Sequence, residues 1–188
     1  MVIMVFGDPN NFAILMELVP PWSLEDNYKN GLFHFIIDGK LFPDSAGVAT
    51  LSGDVSCLSE DNALLSPLED SILFSLDKIE AFSTMLRAML PTLLDPNVDV
   101  PDDFETNYSY QASTYNLEDN ACYVFAVSSG DEIRILGAKT SYLSGNDIDG
   151  YKWINCEHLD VAEVILQKEE VHKIVNEIKM QFTLINKL

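Results

Sequence analysis

The sequence predicts an α+β fold: a largely antiparallel sheet with N-terminal and central hairpins, a mid-chain helix and a C-terminal helix. Two observations carry this expectation. Strand-forming runs gather in two blocks, residues 2–42 and 108–138, and do not alternate regularly with helices. Apolar residues recur at helical spacing between the blocks and again near the C-terminus. With 188 residues, 47% of them hydrophobic, the chain can bury a substantial core, and 1–188 is expected to form one domain.

The elements follow in order. Val2–Phe6 is an apolar run ended by the turn signal Gly7-Asp8-Pro9-Asn10. Phe12–Val19 reads as a second strand, stopped by Pro20-Pro21, which have no N–H to give a ladder. Trp22 behind them is expected to be a packing anchor. Leu32–Ile37 and Lys40–Phe42 flank Asp38-Gly39, a dipeptide suited to the positive φ angles of a type I′ hairpin turn. Residues 43–66 give no clear signal. Ser66-Pro67-Leu68-Glu69 has the form of a capping box, so a helix is expected to open there. Leu76, Ile79, Phe82, Leu86, Met89 and Leu90 form one apolar helical face that ends before Pro91. Pro91–Phe104, with three prolines, reads as an exposed loop.

The second block opens with Tyr108–Tyr115, rich in strand formers. Ala121–Val127 is continuously apolar and reads as a central buried strand, with Glu132–Ala138 as its hairpin partner across Ser128–Asp131. Gly145–Gly150 is a polar loop, and Val161–Leu166 a last strand. The closing helix carries Val171, Ile174, Val175, Ile178 and Phe182 on one face, with Glu169 and Glu170 in its first turn, where they suit the macrodipole.

The formal charge of −19 is unevenly spread. Residues 41–133 hold seventeen carboxylates against Lys78 and Arg87 alone, and from Ala88 to Ile133 there is no base at all. Phe104, Tyr108, Tyr110 and Tyr115 are interleaved with these acids. Such a stretch disfavours nucleic acid or an anionic membrane as a direct ligand and suits a basic protein partner. Its plainer reading is a solvated loop that keeps the chain soluble. The candidate partner-binding residues are Asp99, Asp102, Asp103, Glu105, Glu118 and Asp119.

Enzyme chemistry finds no positive support. There is no GxSxG, P-loop, HExxH or GxGxxG motif. Cys156-Glu157-His158-Leu159-Asp160 is the densest group of potential ligands, but without a second pair it matches no usual zinc spacing, and no metal or cofactor is expected. Cys57, Cys122 and Cys156 are odd in number and widely spaced, which fits a reducing cytoplasm better than a disulfide framework. Met1–Phe6 is too short for a signal-peptide core, and no run reaches the length of a membrane span.

The runs Val5–Ile14, Val19 with Trp22, and Asn30–Pro43 resemble the immunity protein 42 family, and Arg134–Lys139 is compatible with it. That resemblance implies a cytoplasmic protein of bacterial polymorphic-toxin and contact-dependent inhibition systems. Such a protein binds one cognate toxin domain and blocks it without catalysis. Many such toxins are nucleases, whose substrate grooves are basic, so the acidic stretch and the resemblance point the same way. The alternative is a small acidic chaperone that holds an extended segment of a secreted effector in an apolar groove.

Overall fold

A computed structural model describes residues 4–23, 28–147 and 150–187. Strands β1 (Met4–Gly7), β2 (Phe12–Leu18), β3 (Asn30–Ile37), β4 (Lys40–Phe42) and β5 (Ala49–Thr50) form one antiparallel sheet. Val2 and Ile3 of the expected first strand lie outside the described residues. The β3–β4 hairpin turns at Asp38 (φ 51°) and Gly39 (φ 72°), the two positive angles that Asp-Gly suits. β3 pairs with β2 along one edge, and with β4 and the short β5 along the other.

Four helices follow: α1 (Leu51–Cys57), α2 (Ser71–Ser75), α3 (Lys78–Met89) and α4 (Pro91–Leu94). The expected helix start at Ser66 moves to Asp70, whose carboxylate accepts the Leu73 N–H at 2.9 Å. Glu69, the acid of the supposed capping box, is engaged elsewhere: it accepts the Gly130 N–H at 2.9 Å and the Ser128 hydroxyl. The buried face of α3 is Ala81, Phe82, Met85, Leu86 and Met89, whereas Ile79, expected on that face, is exposed. Pro91 opens α4 as its first residue, so only Asp95 onward is loop.

Then come α5 (Tyr115–Asp119), β6 (Cys122–Ser129), β7 (Glu132–Lys139), β8 (Ser141–Asn146), β9 (Gly150–Asn155), β10 (Ala162–Gln167) and α6 (Lys168–Ile185). β6, β7 and β10 form a second antiparallel sheet in the order β10-β7-β6, and β8–β9 stand as a separate hairpin. β6 is buried as expected, but β7 is the central strand. Tyr108–Tyr115 is not a strand. Within it only Gln111 bridges to Phe125, and Ala112 and Ser113 both donate to the Val124 carbonyl, so the segment drapes over the free edge of β6. The expected loop Gly145–Gly150 is in part strand: Gly145 and Asn146 end β8 and Gly150 opens β9, paired in register, while residues 148–149 lie outside the described residues.

The second sheet is the shared wall of the molecule. Cys122, Val124, Ala126, Ile133 and Ile135 face Phe12, Ile14, Phe33, Phe35 and the apolar side of α6 in one cluster. Tyr123, Phe125, Val127, Leu136 and Ala138 face Phe82, Met85, Leu86 and Met89 in another. Gly137 lies where the two sheets meet: a Cβ there would stand 2.7 Å from Ile37 Cδ1. α6 opens on a capping box in which Glu170 accepts the Gln167 N–H and the Gln167 side chain accepts in return. Trp22, expected to anchor the core, is 41% exposed on a short 3-10 turn (Pro20–Ser23), where its backbone is engaged, N–H to the Val19 carbonyl and carbonyl from the Asn30 amide, while its ring stands largely in solvent.

His34 is buried on β3, and its Nδ1 lies 3.0 Å from the Pro43 carbonyl, which can only accept, so Nδ1 carries the proton. Burial lowers its pKa, against smaller upward pulls from Pro43 and Asp54. A group with a depressed folded pKa stabilises the fold above its unfolded value and loses that contribution as the pH falls. The unfolding free energy of the wild type should therefore fall relative to that of His34→Gln as the pH drops below about 6.5, by at most about 1.4 kcal/mol per pH unit, with a matching relative drop in melting temperature. Parallel melting curves from neutral to mildly acidic pH would show His34 to be uninvolved.

Candidate functional site

The acidic face is built from the chain that leaves α3. α4 ends at Asp95, whose carboxylate turns back to accept the Asn97 N–H at 2.9 Å. The chain then runs in the open through Asp99, Asp102, Asp103 and Glu105, all exposed, with a local turn closed by Phe104 N–H to the Pro101 carbonyl. It returns where the Asn107 N–H meets the Ala88 carbonyl at 3.0 Å, against the end of α3. Two prolines, Pro96 and Pro101, and the short Asp and Asn side chains give the backbone no register with either sheet. The loop therefore holds its carboxylates in water.

Beyond Asn107 lie two shallow depressions of about 520 and 250 Å³. Asp61 and Tyr108 line both. The first continues along Ser66, Leu68 and Thr106, the second along Cys57, Gln111 and Tyr115. Neither is lined by a lysine or arginine, and each has room for a side chain or two, not for a polypeptide domain. Tyr108 and Tyr115 are exposed around them, with the Tyr115 ring packed over Gly53.

Of the six candidate residues, Asp99, Asp102, Asp103 and Glu105 lie on the loop and Asp119 is exposed on α5. Glu118 differs. It is half-buried, accepts a hydrogen bond from the Gln111 amide, and has its pKa raised by burial. It props the wall of the second depression and offers less free charge than its neighbours. Residues 106–111 connect the two groups along the chain. Asp61 was not among the candidates, and the only signal for it was the Glu60-Asp61 pair in a stretch otherwise unreadable.

The Cys156–Asp160 group lies elsewhere. With Lys40, Asp44, Cys122 and Lys139 it lines a cleft of about 420 Å³ between the first sheet and the β7–β8 region. The charges there are cross-paired: Lys40 Nζ to Asp160 at 2.6 Å and Lys139 Nζ to Asp44 at 2.6 Å. Burial pushes the Cys122 thiol up to about 11, so it is protonated and a poor nucleophile at neutral pH. Among the described residues no three His, Cys, Asp or Glu side chains converge in a way that could hold a metal ion. No helix among them is long and apolar enough to cross a membrane.

Comparison with known proteins fits this picture. No curated protein matches the chain. Among solved structures, the crystal structure of CdiI from Burkholderia dolosa AUO158 has the same fold, with a TM-score of 0.70 over 95% of this chain and 99% of that one. Sequence identity is 22%, so that likeness is one of fold. The model of immunity protein 42 matches residues 4–181, from the first described strand to the last turns of α6. That match takes in both sheets, the acidic loop and the hairpin β8–β9: the chain belongs to the immunity protein 42 family.

Proposed function

We propose that this chain is the immunity protein of a contact-dependent inhibition system. It acts as a one-domain cytoplasmic binder that neutralises a cognate secreted toxin domain by protein–protein contact, without catalysis. The family membership and the fold shared with a CdiI protein support the class. The observation that carries the finer reading is the exposed acidic loop, Asp99 to Glu105, within a stretch that has no lysine or arginine and beside a depression lined by Asp61, which suits a toxin with a basic surface such as a nuclease groove. The polar lining of the two depressions, Ser66, Thr106, Asn107 and Ser109 among them, is unlike the apolar groove that a chaperone of extended segments would need.

The test is charge reversal. Asp99, Asp102, Asp103 and Glu105 replaced together by lysine should slow association with the toxin domain encoded beside this protein by about tenfold or more at low ionic strength. The gap should close as salt shortens the reach of the field to about 10 Å at 0.1 M. Melting should be nearly unchanged, because exposed charges contribute little to stability. Stopped-flow association at several salt concentrations decides it. A folded variant that associates as fast as the wild type would reduce the loop to a solubilising surface.

A further inference from the structure

The hairpin β8–β9 has a face whose large apolar side chains stay more than half exposed among the described residues. Its register sets Leu143 opposite Trp153, and Gly145 opposite Tyr151. Cross-strand partners share a face, so Leu143, Trp153 and Tyr151 lie together, on the side that also carries Ser141 and Asn155. Leu143 and Trp153 are each 53% exposed and Tyr151 58%. Two-stranded hairpins in water are marginal by themselves. Here the base is fixed: the Cys156 N–H donates to Thr140, the Thr140 N–H to Ala121, and Ser141 is buried. The base holds the hairpin up without using its aromatic side chains.

Asn155 fixes the direction in which that face looks. Its Nδ2 donates to the Leu93 carbonyl of α4 at 3.3 Å, and α4 runs directly into Asp95 and the acidic loop. The apolar face and the start of the base-free stretch are therefore neighbours. We propose that the Leu143–Tyr151–Trp153 face of β8–β9 is the apolar anchor of the toxin interface, with the adjacent acidic loop steering a cationic toxin surface onto it. This rests on the reading of the chain as a toxin-binding immunity protein. Trp and Tyr are the side chains that most often dominate interface energetics, and flanking charges set the encounter rate. The occupant is a basic protein and not a second copy of this chain, because a second copy would bring another net −19 and another acidic loop against the first.

The two parts of such an interface separate kinetically. Tyr151→Ala with Trp153→Ala should speed dissociation from the cognate toxin domain about thirtyfold or more, while leaving association at low salt within a few-fold of wild type. The loop reversal at Asp99, Asp102, Asp103 and Glu105 should do the opposite. Amide hydrogen exchange of the wild-type complex supplies a second readout that needs no variant: residues 141–147 and 150–155 should gain protection when toxin binds. If the double variant dissociates like wild type and the hairpin gains no protection, while the loop reversal still slows association, the anchor lies elsewhere and the functional reading stands. If wild type shows no binding to the toxin domain, the functional reading and this inference fall together. If wild type sediments as a dimer that the double variant dissociates, the face is a self-interface and the inference is overturned.

Discussion

Arg134→Met is expected to lower the stability of the fold by about 3–5 kcal/mol, the cost of breaking a buried ion pair from one side. The Arg134 side chain is 4% exposed in the middle of β7. Its Nε donates to Glu163 on β10 at 2.7 Å, and Nη1 donates to the carbonyls of Phe74 at 2.7 Å and Leu76 at 2.8 Å. Those carbonyls belong to the last turn of α2 and to Leu76, the residue that caps it, groups that a helix end leaves without intrahelical partners. One guanidinium thus joins the central strand, its neighbour and the helix that precedes α3. Methionine fills similar space but strands the carbonyls and Glu163. Lysine should restore only part of the loss, since a point charge does not reproduce the planar fork. Thermal melting measures this, with about 2–4 °C lost per kcal/mol at this chain length. A melting temperature within a degree of wild type would show the network to be dispensable.

Gly31→Ala should be comparably damaging, for a different reason. A Cβ at Gly31 would lie 1.8 Å from the Glu17 carbonyl oxygen and 3.2 Å from Leu18 Cα. Both are backbone atoms of the adjacent strand, so no side chain can swing aside. β3 is held on both edges at this point, by Leu18 and by Ala49. The sheet must open or shift, with an expected loss of about 3 kcal/mol or more. Gly39→Ala is the control. It meets nothing within 4 Å but sits at φ +72°, so it should lose only about 1–2 kcal/mol. Equal effects of the two substitutions in denaturant titrations would mean that the close approach at Gly31 relaxes freely.

The parts legible in the sequence were those whose signals are local. Asp38-Gly39 gives its hairpin because two adjacent residues accept positive φ. The α6 stripe gives its helix because one face alone is apolar. Tyr108–Tyr115 is rich in strand formers yet forms no strand, because propensity does not report what lies beside a segment. Its neighbour is an edge whose Val124 carbonyl accepts two N–H groups in succession, which leaves no regular ladder to join. Trp22 is a similar case, since ring size says nothing about whether the turn carrying it faces inward. At the site, the exposed acids were readable because charge needs water. Glu118 was not, because its Gln111 partner is a tertiary fact. The β8–β9 face has a local signal of its own in the sequence: Leu143 shortly before Gly145, and Tyr151 and Trp153 two residues apart after Gly150.

The base-free stretch also has a consequence for mapping. Ala88–Ile133 has carboxylates and no lysine, so a reagent that couples acids to amines can join it to a partner in one sense only. Every zero-length bridge from there to a partner must end on a lysine or the amino terminus of that partner. Trypsin, cutting after Arg87 and Arg134, releases the whole segment as one acidic peptide, with the partner's fragment hanging from it. The acidic loop therefore works as a built-in probe that reports the partner's basic residues by position.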